Sequence, residues 1–422
     1  MTGFIKSKVK YFIYLAFVGS SAVLGIFKSG LFAKIISPEE FGLYSIVITT
    51  YVFIVYAGSF GLNEALLKMG SFAFGKGNKS ETLRLRDISI AYATIFTIIC
   101  SLIFILFLYV AIDKKHVRVT LSLASLLAIL AIQYTILDSY LRLSQKILCF
   151  SFFLLLKSIS SISIGYILAS TLGASGLLIA ESFSLLLLSM YLIFFGKEKF
   201  KFSNLKNSFI TFKDMVKNGF PLLVSMIIRK ASVSLDKWVI SLSLGLVAVG
   251  KYSFLMILFL ISMSFLGIMT NVLGPKWLAD YGINNDRIKL FKSIGKISLL
   301  FTVSAIIIMV PLVIFLPDML ETFYPQYYDD ETLTCFKLIY IGVVCMVSTQ
   351  LFDWFFIATS HENYLLSVAT IVLIITILMM IYGYFSKANL VSYCVFFLIA
   401  RCLISFLYIR KIPCYLKAVQ PT

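Results

Sequence analysis

Charged residues and catalytic side chains are scarce in this chain. Only 14% of the 422 residues are charged, and there are two histidines, far apart in the sequence. The seven cysteines lie mostly in apolar runs without paired spacing, which excludes a disulfide framework and a cysteine-ligated metal centre. No nucleophile constellation is present, and Gly75-Lys76-Gly77 lacks the preceding glycine of a phosphate-binding loop. The sequence therefore predicts no metal, no cofactor and no enzymatic activity.

Hydrophobic residues, in contrast, are abundant. They make up 60% of the chain, aromatic residues make up 15%, and the mean hydropathy is +0.97. A soluble protein of this length would not have so little polar surface, so the predicted solvent is lipid. The pattern predicts an all-α integral membrane protein with about twelve transmembrane helices. The predicted spans are 11–35, 43–66, 88–112, 119–141, 147–170, 176–196, 218–245, 251–273, 297–316, 332–359, 364–385 and 389–409.

The net charge of +17 is distributed unevenly between the predicted loops. Alternate loops, counted from the N-terminus, hold about four times as many lysines and arginines as the loops between them. Because basic residues concentrate on the cytoplasmic side, this bias predicts that both termini are cytoplasmic. The basic loops are expected to face anionic membrane lipids, and no nucleic-acid partner is predicted.

The two halves of the chain share a short motif. Glu40-Phe41-Gly42-Leu43-Tyr44-Ser45 is followed 208 residues later by Ala248-Val249-Gly250-Lys251-Tyr252-Ser253. Six helices return the chain to the same side of the membrane, so the halves are predicted to be parallel repeats, as in some secondary transporters. The predicted domains are an N-terminal six-helix lobe (1–196), a basic cytoplasmic connector (197–217) and a C-terminal six-helix lobe (218–422).

Several charged residues lie inside the predicted spans, where each costs about 2.5–3.5 kcal/mol on insertion scales. Such residues are stable only if most of them face protein or a water-filled cavity. The segment 218–253 is the most highly charged, with four charges in one span. The charges that lie deeper than the span ends are six cations and three carboxylates: Lys28, Lys157, Arg229, Lys230, Lys237 and Arg401, and Glu181, Asp236 and Asp353.

The excess of cations over carboxylates indicates that some cations bind an anionic guest. Arg229 and Lys230 are the strongest candidates, because they lie near the middle of their span. Lys28, Lys157, Lys237 and Arg401 are candidates for the same role, with snorkelling or local ion pairing as the alternative. Two readings stay open for the carboxylates: they neutralise nearby cations such as Lys237, or they couple transport to H⁺ or Na⁺.

Two motifs resemble the polysaccharide transporter family, which comprises the O-antigen and lipid-linked oligosaccharide flippases. The first is the stretch from Ala33 to Tyr44. The second combines Gly219-Phe220-Pro221, Ser234-Leu235-Asp236-Lys237 and the stretch from Leu244 to Ser253. Many family members have arginine where this chain has Lys237, which keeps the charge but loses the planar fork. The family is related to the multidrug and toxin extrusion (MATE) transporters.

The resemblance implies a MATE-like fold with two six-helix lobes around a cavity that opens alternately to each side. The implied substrate is a glycan linked by pyrophosphate to undecaprenol, moved to the periplasmic leaflet of the bacterial inner membrane. A glycan polymerase and a chain-length regulator are the implied protein partners. A multidrug or cation antiporter of the same fold and a membrane-embedded O-antigen polymerase are the alternatives.

Overall fold

The computed structural model describes residues 2–195, 199–206, 208–284, 286–359 and 361–417. Within these ranges the chain is helical and contains no strand. The structure also contains short helical segments of other types. Leu66–Gly70 and Tyr191–Phe195 are π-helical, and Phe202–Leu205 and Pro325–Tyr327 are 3₁₀-helical. The α-helices are α1 (Thr2–Ile35), α2 (Pro38–Ser59), α3 (Leu62–Ala65), α4 (Ser71–Gly75), α5 (Lys79–Ala111), α6 (Lys115–Leu143), α7 (Ile147–Met190), α8 (Phe209–Leu244), α9 (Leu246–Asn284), α10 (Arg287–Phe323), α11 (Asp330–Gln350), α12 (Asp353–Ala358), α13 (Glu362–Phe385) and α14 (Leu390–Lys417).

The prediction of an all-α, multi-pass membrane protein is confirmed. In the described ranges, ten helical segments are long and apolar enough to cross a membrane. One of them, Ile147–Phe194, contains two predicted spans, which are separated at Gly173 by a break with a φ of 55°. Helix α8 is not among the ten, because seven charged residues interrupt its apolar sequence.

Helix boundaries follow from local sequence. The side chains of Asn78, Asp286 and Asp329 accept backbone N–H groups at the starts of α5, α10 and α11, as N-capping residues do. Burial alone would raise the pKa of Asp329, but hydrogen bonds from Lys251 and Thr332 lower it below its usual value. Gly245 has a φ of 86°, a left-handed conformation that glycine adopts without strain, and it separates α8 from α9.

The chain forms two compact units. The N-terminal unit contains residues 1–36 and 43–227, and the C-terminal unit contains residues 37–42 and 228–422. In the N-terminal unit, α7 packs against both α1 and α6, and α6 also packs against α5. In the C-terminal unit, α11 packs against α9, α10 and α14. Helix α8 contributes its first part to one unit and its second part to the other.

A buried ion pair on α5 forms hydrogen bonds to the segment that follows α7 in the N-terminal unit. The sequence places Arg86 in a loop before a span at 88–112, and this boundary is wrong because α5 begins at Lys79. Arg86 and Asp87 are 2% and 0% exposed and form a salt bridge. Asp87 also accepts hydrogen bonds from the Lys201 N–H and the Asn204 amide. A buried pair needs such additional bonds to offset the loss of hydration.

The two glycines of the repeated motif lie at a close approach of two helix starts in the C-terminal unit. A Cβ atom on Gly250 would lie 1.8 Å from the Pro38 carbonyl oxygen, and one on Gly42 would lie 2.1 Å from the Leu246 oxygen. Both distances are well inside van der Waals contact, and the clashing atoms belong to the backbone. Only glycine therefore permits this contact.

We expect Gly250→Ala to lower the free energy of unfolding by at least about 1–3 kcal/mol, the usual cost of overpacking a core. Thermal unfolding of the purified protein in detergent measures this change. Gly267→Ala is the matched control, because Gly267 lies in the same helix and its added Cβ would have no neighbour within 4 Å. Equal melting temperatures for the two variants would contradict the close contact.

Candidate substrate-binding site

The three carboxylates that the sequence places deepest in the spans each accept a hydrogen bond from a tyrosine. Because carboxylate oxygens away from water need donors, each tyrosine satisfies part of this requirement. The donors lie on helices other than those that carry the carboxylates. Tyr44 donates to Glu181 at 3.3 Å, Tyr252 donates to Asp236, and Tyr408 donates to Asp353 at 2.5 Å.

In the N-terminal unit, Glu181 on α7 forms a salt bridge with Lys28 on α1. The Lys28 ammonium group also donates to the Ser161 hydroxyl at 3.4 Å, and Glu181 is 6% exposed. Lys157 is half-buried, lies 5.1 Å from the centre of the Tyr134 ring and interacts electrostatically with Glu181. Lys28 is therefore paired with Glu181, and Lys157 contributes positive potential near the same carboxylate.

In the C-terminal unit, Arg401 connects α14 to α8. It is 5% exposed, and its Nη2 donates to the Ser232 carbonyl oxygen at 3.1 Å. Its guanidinium group lies 5.2 Å from the Phe397 ring and 5.8 Å from the Phe259 ring, within cation–π distance. These contacts hold Arg401 inside the unit.

Asp236 lies near Arg401 and is also buried, with 5% of its surface exposed. Besides the Tyr252 hydroxyl, it accepts the backbone N–H of Lys237 at 2.8 Å. Arg401 and Lys237 both interact with it electrostatically. The predicted neutralisation of a cation by Asp236 thus has two candidate partners in the same unit.

A third cluster joins α8, α12 and α14 of the C-terminal unit. Arg229 Nη1 lies 3.6 Å from Asp353 Oδ2, and Tyr408 donates to the other oxygen of the same carboxylate. The Arg229 side chain is 46% exposed, whereas the Asp353 side chain is 19% exposed. Arg229 therefore combines an ion pair with an accessible guanidinium group.

Lys230 follows Arg229 but has different surroundings. Successive residues on a helix point about 100° apart. Lys230 is exposed and makes no ion pair or hydrogen bond to the described residues. Together the two side chains present an accessible double positive charge. The planar guanidinium fork matches two oxygens of a phosphate group, and the lysine adds a point charge.

The two halves carry opposite charges at one aligned position of their first predicted span. A shift of 208 residues, which aligns Gly42 with Gly250, aligns Tyr44 with Tyr252 and places Lys28 opposite Asp236. In the N-terminal half, Tyr44 donates to Glu181, which lies in the last predicted span of that half. In the C-terminal half, Tyr252 donates to Asp236, which lies in the first predicted span. The two halves therefore repeat the tyrosine–carboxylate hydrogen bond but place the carboxylate on different helices.

The three tyrosines are candidate site residues that the sequence analysis does not include. The repeated motif already contains Tyr44 and Tyr252, so their recurrence was a usable signal. Nothing comparable marks Tyr408, whose only sequence relation to a predicted residue is its position seven residues after Arg401 on the same helix.

The family described as "Polysaccharide biosynthesis protein" matches residues 9–277, which is more than half of the chain. The chain belongs to this family. The resemblance seen in the two sequence motifs is thereby confirmed. No curated protein matches the chain.

Solved structures of transporters share the fold of this family member. A lipid II flippase MurJ in an inward closed conformation has a TM-score of 0.75 and 18% identity, and the match covers 95% of this chain and 87% of that chain. A MOP superfamily transporter from Pyrococcus furiosus, whose title describes a binding pocket of reverse polarity, has a TM-score of 0.66 and 14% identity over 98% and 96%.

An inward-facing MATE family multidrug resistance transporter gives a TM-score of 0.68 and 13% identity, and the match covers 96% of this chain and 98% of that chain. At these identities the similarity establishes the fold alone. The prediction of a MATE-like fold is confirmed.

Proposed function

We propose that this protein is a flippase for undecaprenyl-pyrophosphate-linked oligosaccharides. It moves the repeat unit of an O-antigen or related surface polysaccharide from the cytoplasmic to the periplasmic leaflet of the bacterial inner membrane by alternating access. Membership of the polysaccharide biosynthesis family is the observation that carries this proposal. The shared fold with a lipid II flippase supports it.

Arg229 and Lys230 are the proposed ligands of the diphosphate. Both side chains are accessible, and their charge suits a substrate with two adjacent phosphates. Lys28, Lys157, Lys237 and Arg401 contribute positive potential but have partners of their own within their units. The polyprenyl tail needs no polar site, because it can remain in lipid.

A multidrug or cation antiporter of the same fold is the main alternative. A cationic substrate requires accessible negative charge, and the three embedded carboxylates are each bonded to a tyrosine hydroxyl. Two of the three also form salt bridges. This arrangement favours an anionic substrate.

A membrane-embedded polymerase is the second alternative. Such an enzyme is expected to have a sizeable outer loop for glycan chemistry, whereas only residues 324–329 connect α10 to α11. We therefore assign the chain a transport role and no enzymatic one. A glycan polymerase and a chain-length regulator would act after it on the periplasmic side.

Glu181, Asp236 and Asp353 are the proposed sites of coupling to H⁺ or Na⁺. The positive-inside bias supports the proposal that both termini lie in the cytoplasm. Transport measured with and without a sodium gradient at constant pH would distinguish the two ions.

A deletion strain tests the function directly. We expect undecaprenyl-linked single repeat units to accumulate on the inner leaflet, where a membrane-impermeant periodate reagent does not reach them in intact spheroplasts. Units that accumulate on the outer leaflet would instead indicate a polymerase. Normal polymerised glycan in the deletion strain would exclude both roles.

A further inference from the structure

The cluster around Asp353 differs from the other two tyrosine–carboxylate clusters in accessibility. Lys28 and Glu181 have side chains that are 20% and 8% exposed, and Arg401 is almost fully buried. The side chain of Arg229, in contrast, is nearly half exposed while it contacts Asp353. The Arg229–Asp353 pair is therefore less enclosed by protein than the two buried clusters.

Asp353 has a longer contact with Arg229 than with Tyr408. Arg229 Nη1 lies 3.6 Å from Asp353 Oδ2, longer than the roughly 2.7–2.9 Å of a strong charge-assisted hydrogen bond. Tyr408 holds the other carboxylate oxygen at 2.5 Å. Tyr408 is itself 5% exposed and packs against the Phe356 ring at 5.2 Å. Asp353 would thus keep a fixed donor if Arg229 moved away.

We infer that Asp353 is an internal counter-ion that competes with the anionic substrate for Arg229. This inference rests on the proposed function, because it takes Arg229 as a ligand of the diphosphate. When no substrate is bound, Asp353 neutralises Arg229. When the diphosphate arrives it takes over the guanidinium group, and Asp353 remains on Tyr408. The carboxylate then promotes release by returning to Arg229.

The expected effect follows from population arithmetic. A binding site that is available for only a fraction of the time has its affinity reduced by that fraction. If Asp353 occupies Arg229 for about 80–90% of the time, removal of the carboxylate tightens substrate binding about five- to tenfold. The same removal should slow dissociation of the bound diphosphate.

The test uses the full-length protein in nanodiscs, with farnesyl pyrophosphate as the probe. Asp353→Asn keeps the size of the side chain and can still accept the Tyr408 hydroxyl. Asp353→Ala removes the carboxylate without adding an amide. We expect both variants to bind the probe about five- to tenfold more tightly than the wild type, with a slower off-rate. Unchanged or weaker binding would overturn the inference.

Asp329→Asn is the matched control. Asp329 also pairs with a cation of the C-terminal unit, Lys251, and asparagine is a good N-capping residue. This variant should bind the probe like the wild type. Tightening by the same factor in Asp329→Asn would show a general charge effect and would contradict competition at Arg229.

Arg229→Gln separates this inference from the proposed function. If Arg229→Gln binds the probe as well as the wild type, the proposed diphosphate site is wrong. If Arg229→Gln loses binding but Asp353→Asn does not tighten it, only the counter-ion role fails.

The wild-type protein provides a measurement that needs no variant. Infrared difference spectra of ¹³C-aspartate-labelled protein should show a shifted carboxylate band when the probe binds, because Asp353 loses its arginine partner. The absence of any aspartate band in the spectrum would overturn the inference.

Discussion

Replacing both Arg229 and Lys230 with glutamine is expected to reduce surface glycan display at least about a hundredfold in a complemented deletion strain. A hydrogen bond to a charged group contributes about 1.5–3 kcal/mol, so the loss of two such contacts to a diphosphate removes about 3 kcal/mol or more. Each 1.4 kcal/mol corresponds to a factor of ten. Glycan display is measured by immunoblot against the polysaccharide, and membrane insertion by a blot against the protein.

The control removes the same charge from the same helix. Lys213→Gln/Lys217→Gln changes two exposed lysines in the first part of α8. We expect this variant to keep wild-type glycan display. Normal display in the Arg229/Lys230 variant would remove these residues from the site. Equal loss in both variants would show that net charge matters and not these positions.

The second large effect concerns stability. Lys28→Met and Glu181→Leu should each lower the free energy of unfolding by about 3–5 kcal/mol, because each leaves an uncompensated buried group from a salt bridge. The double variant Lys28→Met/Glu181→Leu should recover most of this loss, since replacing both partners with apolar residues is often neutral. Unfolding of the purified variants in detergent gives all four corners of the cycle.

A partly exposed salt bridge, Lys251–Asp329, serves as the comparison for the unfolding measurement. Lys251 and Asp329 have side chains that are 21% and 34% exposed, so Lys251→Met should cost only about 0–1 kcal/mol. If Lys28→Met costs no more than Lys251→Met, the buried pair does not stabilise the N-terminal unit. Additive losses in the double variant would also contradict the pairing.

Most of the fold could be predicted from hydropathy, because lipid selects apolar helices of nearly constant length. Each of the twelve predicted spans overlaps a helix of the structure, and two of them, 43–66 and 332–359, cross a short break between two helices. The boundaries were less predictable where charge is buried. Arg86 and Asp87 have the composition of a loop, but they lie inside α5 because Lys201 and Asn204 satisfy Asp87 there. Periodicity cannot reveal partners so far along the chain.

The site could be predicted only in part. The sequence identifies which residues carry charge inside spans, because such residues are rare. It does not identify their partners: Lys28 and Glu181 are 153 residues apart. Arg229 and Asp353 likewise lie on helices that are far apart along the chain. In the sequence, nothing distinguishes Tyr408 from the many other aromatic residues. Pairing depends on packing, which a single sequence does not encode in any short motif.

Reconstitution tests the central claim most directly. The purified protein is inserted into liposomes that contain a fluorescent undecaprenyl-pyrophosphate oligosaccharide in both leaflets, and a membrane-impermeant quencher is added outside. We expect the protein to expose the inner-leaflet fluorophore to the quencher, and we expect Arg229→Gln/Lys230→Gln to abolish this transfer. Transfer at the rate of protein-free liposomes, together with efflux of a cationic dye from the same vesicles, would contradict this claim.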